Sequence, residues 1–218
     1  MFWWKGLKND VTLFVGQCQV CQQAKSERVH PPGLLQPLPI PTGAWEDVSM
    51  DFIGGLPKTR GVDTIFVVVD RLSKYVYFIA LAQPFTAKQV TEVFIKEVVR
   101  LHGFPRSIVS DRDVVFMSNF WKELFRSHGT KLHHSSAYHP QSDGQTEVVN
   151  RCLETYLRCF ASSKPKQWSH WLPWAEYWFN TTFNASTKTT PFRVVYGRDP
   201  PTLLRFVEET SVVEDVNE

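Results

Sequence analysis

The sequence predicts an α/β domain, a mixed sheet of five strands covered by helices. Three observations predict it: strand-like alternation at 47–53, two apolar runs close behind it, and a switch to helical spacing after Thr86. The predicted order is three strands, helix, strand, helix, strand, then helices, and alternation of this kind packs as helices against a sheet.

In the first strand, Asp47 to Ile53, Val48, Met50 and Phe52 share one side while Asp47, Ser49 and Asp51 share the other. Ile65 to Val69 is a continuous β-branched and aromatic run, fit for a buried strand, and Tyr75 to Leu81 is a third. Asp70-Arg71-Leu72-Ser73-Lys74 reads as the turn that makes these two a hairpin, with Asp70 a turn residue.

Thr86 to His102 places Val90, Val93, Phe94, Val98 and Leu101 on one helical face. Thr86 and Gln89 form a capping box, and Gly103 marks the stop. Ser107 to Asp111 is a short strand, with Asp113 in the loop after it. Ser118 caps a second helix carrying Trp121, Leu124, Phe125 and His128, closed by Gly129, and Lys131 to His134 is the last strand.

Ala137 to Gly144 is a loop, and a long helix follows to about Ser162. At about 100° per residue, Glu147, Asn150, Arg151, Glu154 and Arg158 share one stripe. Val149, Leu153, Tyr156 and Phe160 form the opposite, buried face. A final helical region, Trp168 to Phe183, repeats Trp168, Trp171, Ala175, Trp178 and Phe179 in one stripe, which reads as packing rather than as a platform for stacking bases.

Around this core the chain divides into four parts. Residues 1–30 carry Cys18 and Cys21, residues 31–44 are a proline-rich linker, residues 45–200 are the α/β domain, and residues 201–218 are an acidic tail. The linker has five prolines between 31 and 41, which favour an extended, semi-rigid spacer. Four cysteines among 218 residues, unevenly spaced, do not make a disulfide framework. No apolar run is long enough to span a membrane, and the first residues lack the pattern of a secretory signal. The formal net charge of +2 conceals a split. Residues 208–218 hold five acids and no Lys or Arg, which leaves 24 cations against 17 acids, or +7, on the remainder. A basic body suits phosphate backbones, although a solvated surface explains charge alone equally well.

Three acids stand out. Asp51 sits among apolar neighbours in a strand, where Asp is disfavoured and its charge needs compensation. Asp111 ends another strand, and Glu147 begins the long helix. Each has an ordinary explanation alone: an ion pair, a turn, the helix dipole. If the two strands are neighbours and the helix crosses beside them, the carboxylates converge. Their hard oxygens then suit magnesium or manganese, and two such ions can clamp an in-line phosphoryl displacement.

The spacing carries a resemblance. Asp51 and Asp111 are separated by 59 residues, and Asp111 and Glu147 by 35. This resembles the D,D-35-E triad of retroviral and retrotransposon integrases. Flanking motifs resemble the gypsy class of LTR retrotransposons, particularly plant elements: Asp51-Phe52-Ile53-Gly54-Gly55-Leu56-Pro57, Val68-Val69-Asp70-Arg71-Leu72-Ser73-Lys74-Tyr75, Ser110-Asp111-Arg112-Asp113, Tyr138-His139-Pro140-Gln141, Asp143-Gly144-Gln145-Thr146-Glu147 and Val195-Tyr196-Gly197-Arg198. The likeness runs from about Cys18 to Pro201.

The resemblance implies an RNase H-like fold and an integrase-type polynucleotidyl transferase that cuts and joins DNA in the nucleus. Asp51, Asp111 and Glu147 would hold two Mg2+ (or Mn2+) ions. His139, Gln145, Asn150, Arg151 and Arg158 would face DNA, and a homo-oligomer is implied as well. The same resemblance makes Cys18-Gln19-Val20-Cys21 the second half of a Zn2+ module. The family places two histidines upstream, but none of the 17 residues before Cys18 is His, and His30 lies at the edge of the linker. Structural zinc takes four ligands, so the site is incomplete. The chain thus resembles an integrase core cut at both ends.

Two other readings compete. A non-catalytic, host-retained module binding nucleic acid or protein through the same fold has no need of three unpaired acids. Another RNase H-like nuclease would use an additional carboxylate, for which Asp70 and Asp113 are the nearby acids.

Overall fold

The computed structural model describes residues 4–20, 40–134, 144–161 and 164–201. Ahead of the main domain stands α1, Leu7–Gln17, which buries none of its residues. Among the described residues the domain holds five strands: β1 (Asp47–Ile53), β2 (Thr64–Asp70), β3 (Val76–Leu81), β4 (Ser107–Ser110) and β5 (Lys131–His134). They form one sheet in the order β3-β2-β1-β4-β5. The three consecutive strands are antiparallel, whereas β1–β4 and β4–β5 are parallel. The expected mixed sheet is therefore present.

Pleating separates two cores. Val48, Met50, Phe66 and Val68 face one side, packed with Val90, Phe94 and Val98 of α2 (Ala87–Phe94, continued by a π turn Ile95–Val99 and a last α turn Arg100–His102). The same layer holds α3 (Val114–Met117) and α4 (Asn119–Ser127), which bring Phe116, Trp121 and Phe125. On the other side, Ile65, Val67 and Val69 pack against α5 (Gly144–Ala161) and α6 (Trp168–Thr181), through Val149, Leu153, Leu157, Trp168 and Leu172. A short α7 (Pro191–Tyr196) follows.

Local chemistry places the ends. The Thr86–Gln89 capping box and the Ser118 cap on Trp121 form as predicted. Asp70, read as a turn residue, is instead the last residue of β2 and anchors the turn with its side chain: the carboxylate accepts from the amides of Ser73 and Trp45 and from the Ser73 hydroxyl, tying the β2–β3 turn to the residues before β1.

Three expectations are corrected and one is refined. Leu101 is 50% exposed, because the π turn adds a residue to the helical repeat and rotates the last turn off the apolar face. Asp113 lies in the loop after β4 as expected, and its side chain also accepts from the Val115 amide to cap α3. Phe160 is 49% exposed, stacked on Tyr156 and beside Trp171 over the cleft between α5 and α6, while Leu157 takes the core position. Trp168 is core, yet Trp178 is 41% exposed: α6 turns Leu172, Ala175 and Asn180 to the sheet, and Trp178 lies against Tyr156 instead. Among the described residues, no helix is long and apolar enough to cross a membrane.

Candidate active site

The parallel pairing of β1 with β4 sets the site. Val48↔Ile108, Ser49↔Val109 and Met50↔Ser110 are partners, and one further step in that register puts Asp51 beside Asp111. These two acids lie in neighbouring places because the chain crosses back through α2 and enters β4 parallel to β1.

Both carboxyls are held above the ordinary carboxylate range. For Asp51 the main cause is burial, followed by the charges of Asp111 and then Asp113, opposed by hydrogen bonds from the Phe52 amide and Asn150. For Asp111 it is again burial, then the Asp113 charge, opposed by the Asp113 amide bond and by His134. Two half-buried, mutually repelling carboxylates gain from a bound cation.

Helix α5 supplies the rest. Asn150 Nδ2 donates to Asp51 Oδ2 at 2.6 Å, and Thr146 Oγ1 donates to Ser49 Oγ at 2.8 Å. Glu147, one turn before Asn150, is exposed and paired with Arg151 at 2.6 Å. Among the described residues, no group of three His, Cys, Asp or Glu side chains is arranged to hold a metal ion. Asp51 and Asp111 meet; Glu147 stands at the same helix but is turned to its own cation.

The donor set nevertheless fits a hard divalent ion. Asp51 and Asp111 offer carboxylate oxygens, and Asn150 Oδ1 is buried without a hydrogen-bond partner among the described residues. Spacing could not foresee Asn150 as a partner of Asp51; its place on the stripe with Glu147 was the only signal. Arg158 of the expected DNA face pairs with Glu154 at 3.4 Å. His139, the side chain of Gln145, Cys21, His30, the 137–143 loop and the 208–218 tail lie outside the described residues, whereas Cys18 follows directly on α1.

A mixed five-stranded sheet with helices on both faces and acids at two adjacent strands has the RNase H-like architecture. Residues 41–140 match the integrase core domain and belong to that family, and residues 1–27 match the integrase zinc binding domain.

The transposon Tf2-3 and Tf2-4 polyproteins of Schizosaccharomyces pombe (strain 972 / ATCC 24843) are each 36% identical over 199 residues, 91% of this chain. The chain spans 15% of the length of these relatives. Among solved structures, the simian T-cell lymphotropic virus intasome in complex with PP2A regulatory subunit B56 gamma aligns with a TM-score of 0.62 at 17% identity, covering 93% of this chain and 72% of that one. The HTLV-2 integrase catalytic core domain in complex with magnesium (trimeric form) aligns at 0.55 and 18%, covering 70% and 97%. The BIV integrase catalytic core domain aligns at 0.54 and 21%, covering 69% and 93%. These likenesses are of fold.

Proposed function

We propose that this chain carries out the DNA cleavage and joining of a gypsy-class LTR retrotransposon integrase in the nucleus, with Asp51, Asp111 and Glu147 as its acids. The observation that carries the reading is the pair of burial-strained carboxylates on adjacent parallel strands, with Asn150 beside them. Bound between these acids, Mg2+ or Mn2+ supplies Lewis-acid neutralisation of charge in an in-line phosphoryl displacement.

The protein's own groups do the rest. Asn150 orients Asp51. Glu147 leaves Arg151 and joins the aspartates, and the released Arg151 guanidinium takes a phosphate oxygen in a fork that suits it. A water or a DNA 3′-hydroxyl then attacks phosphorus, and the strand oxygen leaves. Arg158 extends the cationic stripe along α5, with His139 and Gln145 completing the DNA-facing set. Cys18 and Cys21 are two thiolates of a Zn2+ set, a reading supported by the zinc-domain match over 1–27. DNA and further copies of the chain are the expected partners.

The test is joining of preformed branched DNA by the purified chain with Mg2+ or Mn2+, beside Glu147→Gln and Asp51→Asn. Metal-dependent products from wild type and none from either variant are expected. Equal activity in the variants would overturn the assignment.

A further inference from the structure

Two hydrogen bonds pin α5 to β1, in the same order along both elements: Ser49 with Thr146, then Asp51 with Asn150. Ser49 and Asp51 are two residues apart on a strand, so they share a face; Thr146 and Asn150 are four apart on a helix, so they share one as well. Two strand residues advance about 6.6 Å. Four helical residues advance about 6 Å. The two contacts are satisfied together because α5 runs nearly along β1 in one register. Sliding or turning the helix by a residue would part at least one pair.

The first pin is buried: Ser49 is 2% exposed and Thr146 fully enclosed. Its surroundings are apolar. Val69 is the cross-strand partner of Ser49, Val67 that of Asp51, and Val149 packs in the same core. A buried hydroxyl left without a partner is costly, so these surroundings enforce the bond. Glu147 directly follows Thr146 in the chain.

We propose that the Ser49–Thr146 hydroxyl pair is a positioning device, setting the register of α5 against β1 and thereby where Glu147 stands relative to Asp51 and Asp111. This rests on the proposed function, in which the three acids act on one set of cations. The two hydroxyls are bonded to each other and not to Asp51, Asp111 or Glu147, so both act as positioning residues.

The experiment compares the full chain with Thr146→Val, Thr146→Ser, Ser49→Ala and the Ser49→Ala/Thr146→Val double variant. Joining of branched DNA gives kcat and KM, Mn2+ titration followed by electron paramagnetic resonance gives ion affinity, and melting gives stability. Thr146→Val is expected to lower kcat and weaken Mn2+ binding by about tenfold, within the range for groups that orient a ligand, and to leave KM for DNA unchanged. Thr146→Ser restores both. The double variant leaves no orphaned hydroxyl and regains melting temperature, but not kcat.

Wild-type kcat and Mn2+ affinity in Thr146→Val, or kcat returning with stability in the double variant, would overturn the proposal and leave the pair a packing contact. Should Thr146→Val not fold, Ser49→Ala against Thr146→Ser decides in the same way. If wild type binds Mn2+ yet joins no DNA, the functional reading falls, and the Mn2+ titration alone judges the pair. If wild type binds no Mn2+, both fall.

Discussion

Asn150 Nδ2 donates to Asp51 Oδ2 at 2.6 Å, joining α5 to the central strand across 99 residues of sequence. The bond leaves Asp51 Oδ1 with the Phe52 amide and fixes the carboxylate's plane. Asn150→Ala is expected to cut metal-dependent activity by about 10–100-fold, the range for groups that orient a ligand. Asn150→Asp should cut it as well, since a carboxylate cannot donate the bond that orients Asp51. Single-turnover rates at saturating Mn2+ measure both.

Arg151 and Glu147 form an i, i+4 pair on an exposed helix face, and such pairs contribute little to stability. Arg151→Ala should therefore shift the melting temperature little. If its guanidinium passes to a phosphate when DNA binds, the variant should weaken DNA binding uniformly across sequences. The slope of affinity against salt should also fall by about one. Fluorescence anisotropy over a salt series reads both quantities. An unchanged slope would remove Arg151 from the DNA face.

Glu176 on α6 accepts a hydrogen bond from the Phe78 amide of the sheet-edge strand β3, and burial raises its carboxyl to about 7. A folded value above the unfolded 4.5 means that the folded chain binds this proton more tightly. Its contribution to stability is thus greatest below about 4.5 and is lost as pH rises through about 7, a change on the order of 3 kcal/mol. Glu176→Gln keeps an acceptor for the amide and should flatten stability against pH in that window. Urea unfolding of both proteins at several pH values between 4.5 and 8 checks it.

The same sign applies to Asp51 and Asp111, whose raised values penalise the charged, cation-free fold as pH climbs above the ordinary carboxylate range. Divalent ions should relieve that penalty. The gain in melting temperature on adding Mn2+ should therefore grow with pH and shrink sharply in Asp51→Asn. A Mn2+ effect equal in wild type and variant would place the ion elsewhere.

Much of the fold was legible in the sequence because its signals are local. Alternation over Asp47–Ile53, the Thr86–Gln89 box and the Ser118 cap depend on residues within one strand or one turn, and each forms where expected. Asp51 and Asp111 were legible as candidates because a carboxylate in or at the end of an apolar strand is costly unless something uses it. Less local features were not legible. The π turn that exposes Leu101, the four-residue α3 and the side of α6 left uncovered at Trp174, 51% exposed, and Trp178 depend on what packs against each element. Periodicity records that a face is apolar, not which neighbour covers it.

Sequence alone thus determined the strands, the caps and the turn after Asp70, since each follows from backbone period or from a side chain bonding its own turn. Tertiary structure alone decided that β1 and β4 pair in parallel, which brings Asp51 beside Asp111, and that Asn150 and Thr146 reach Asp51 and Ser49. Those contacts span about 60 to 100 residues of chain. Their partners are chosen by sheet register and by burial of the whole core, which no local pattern encodes.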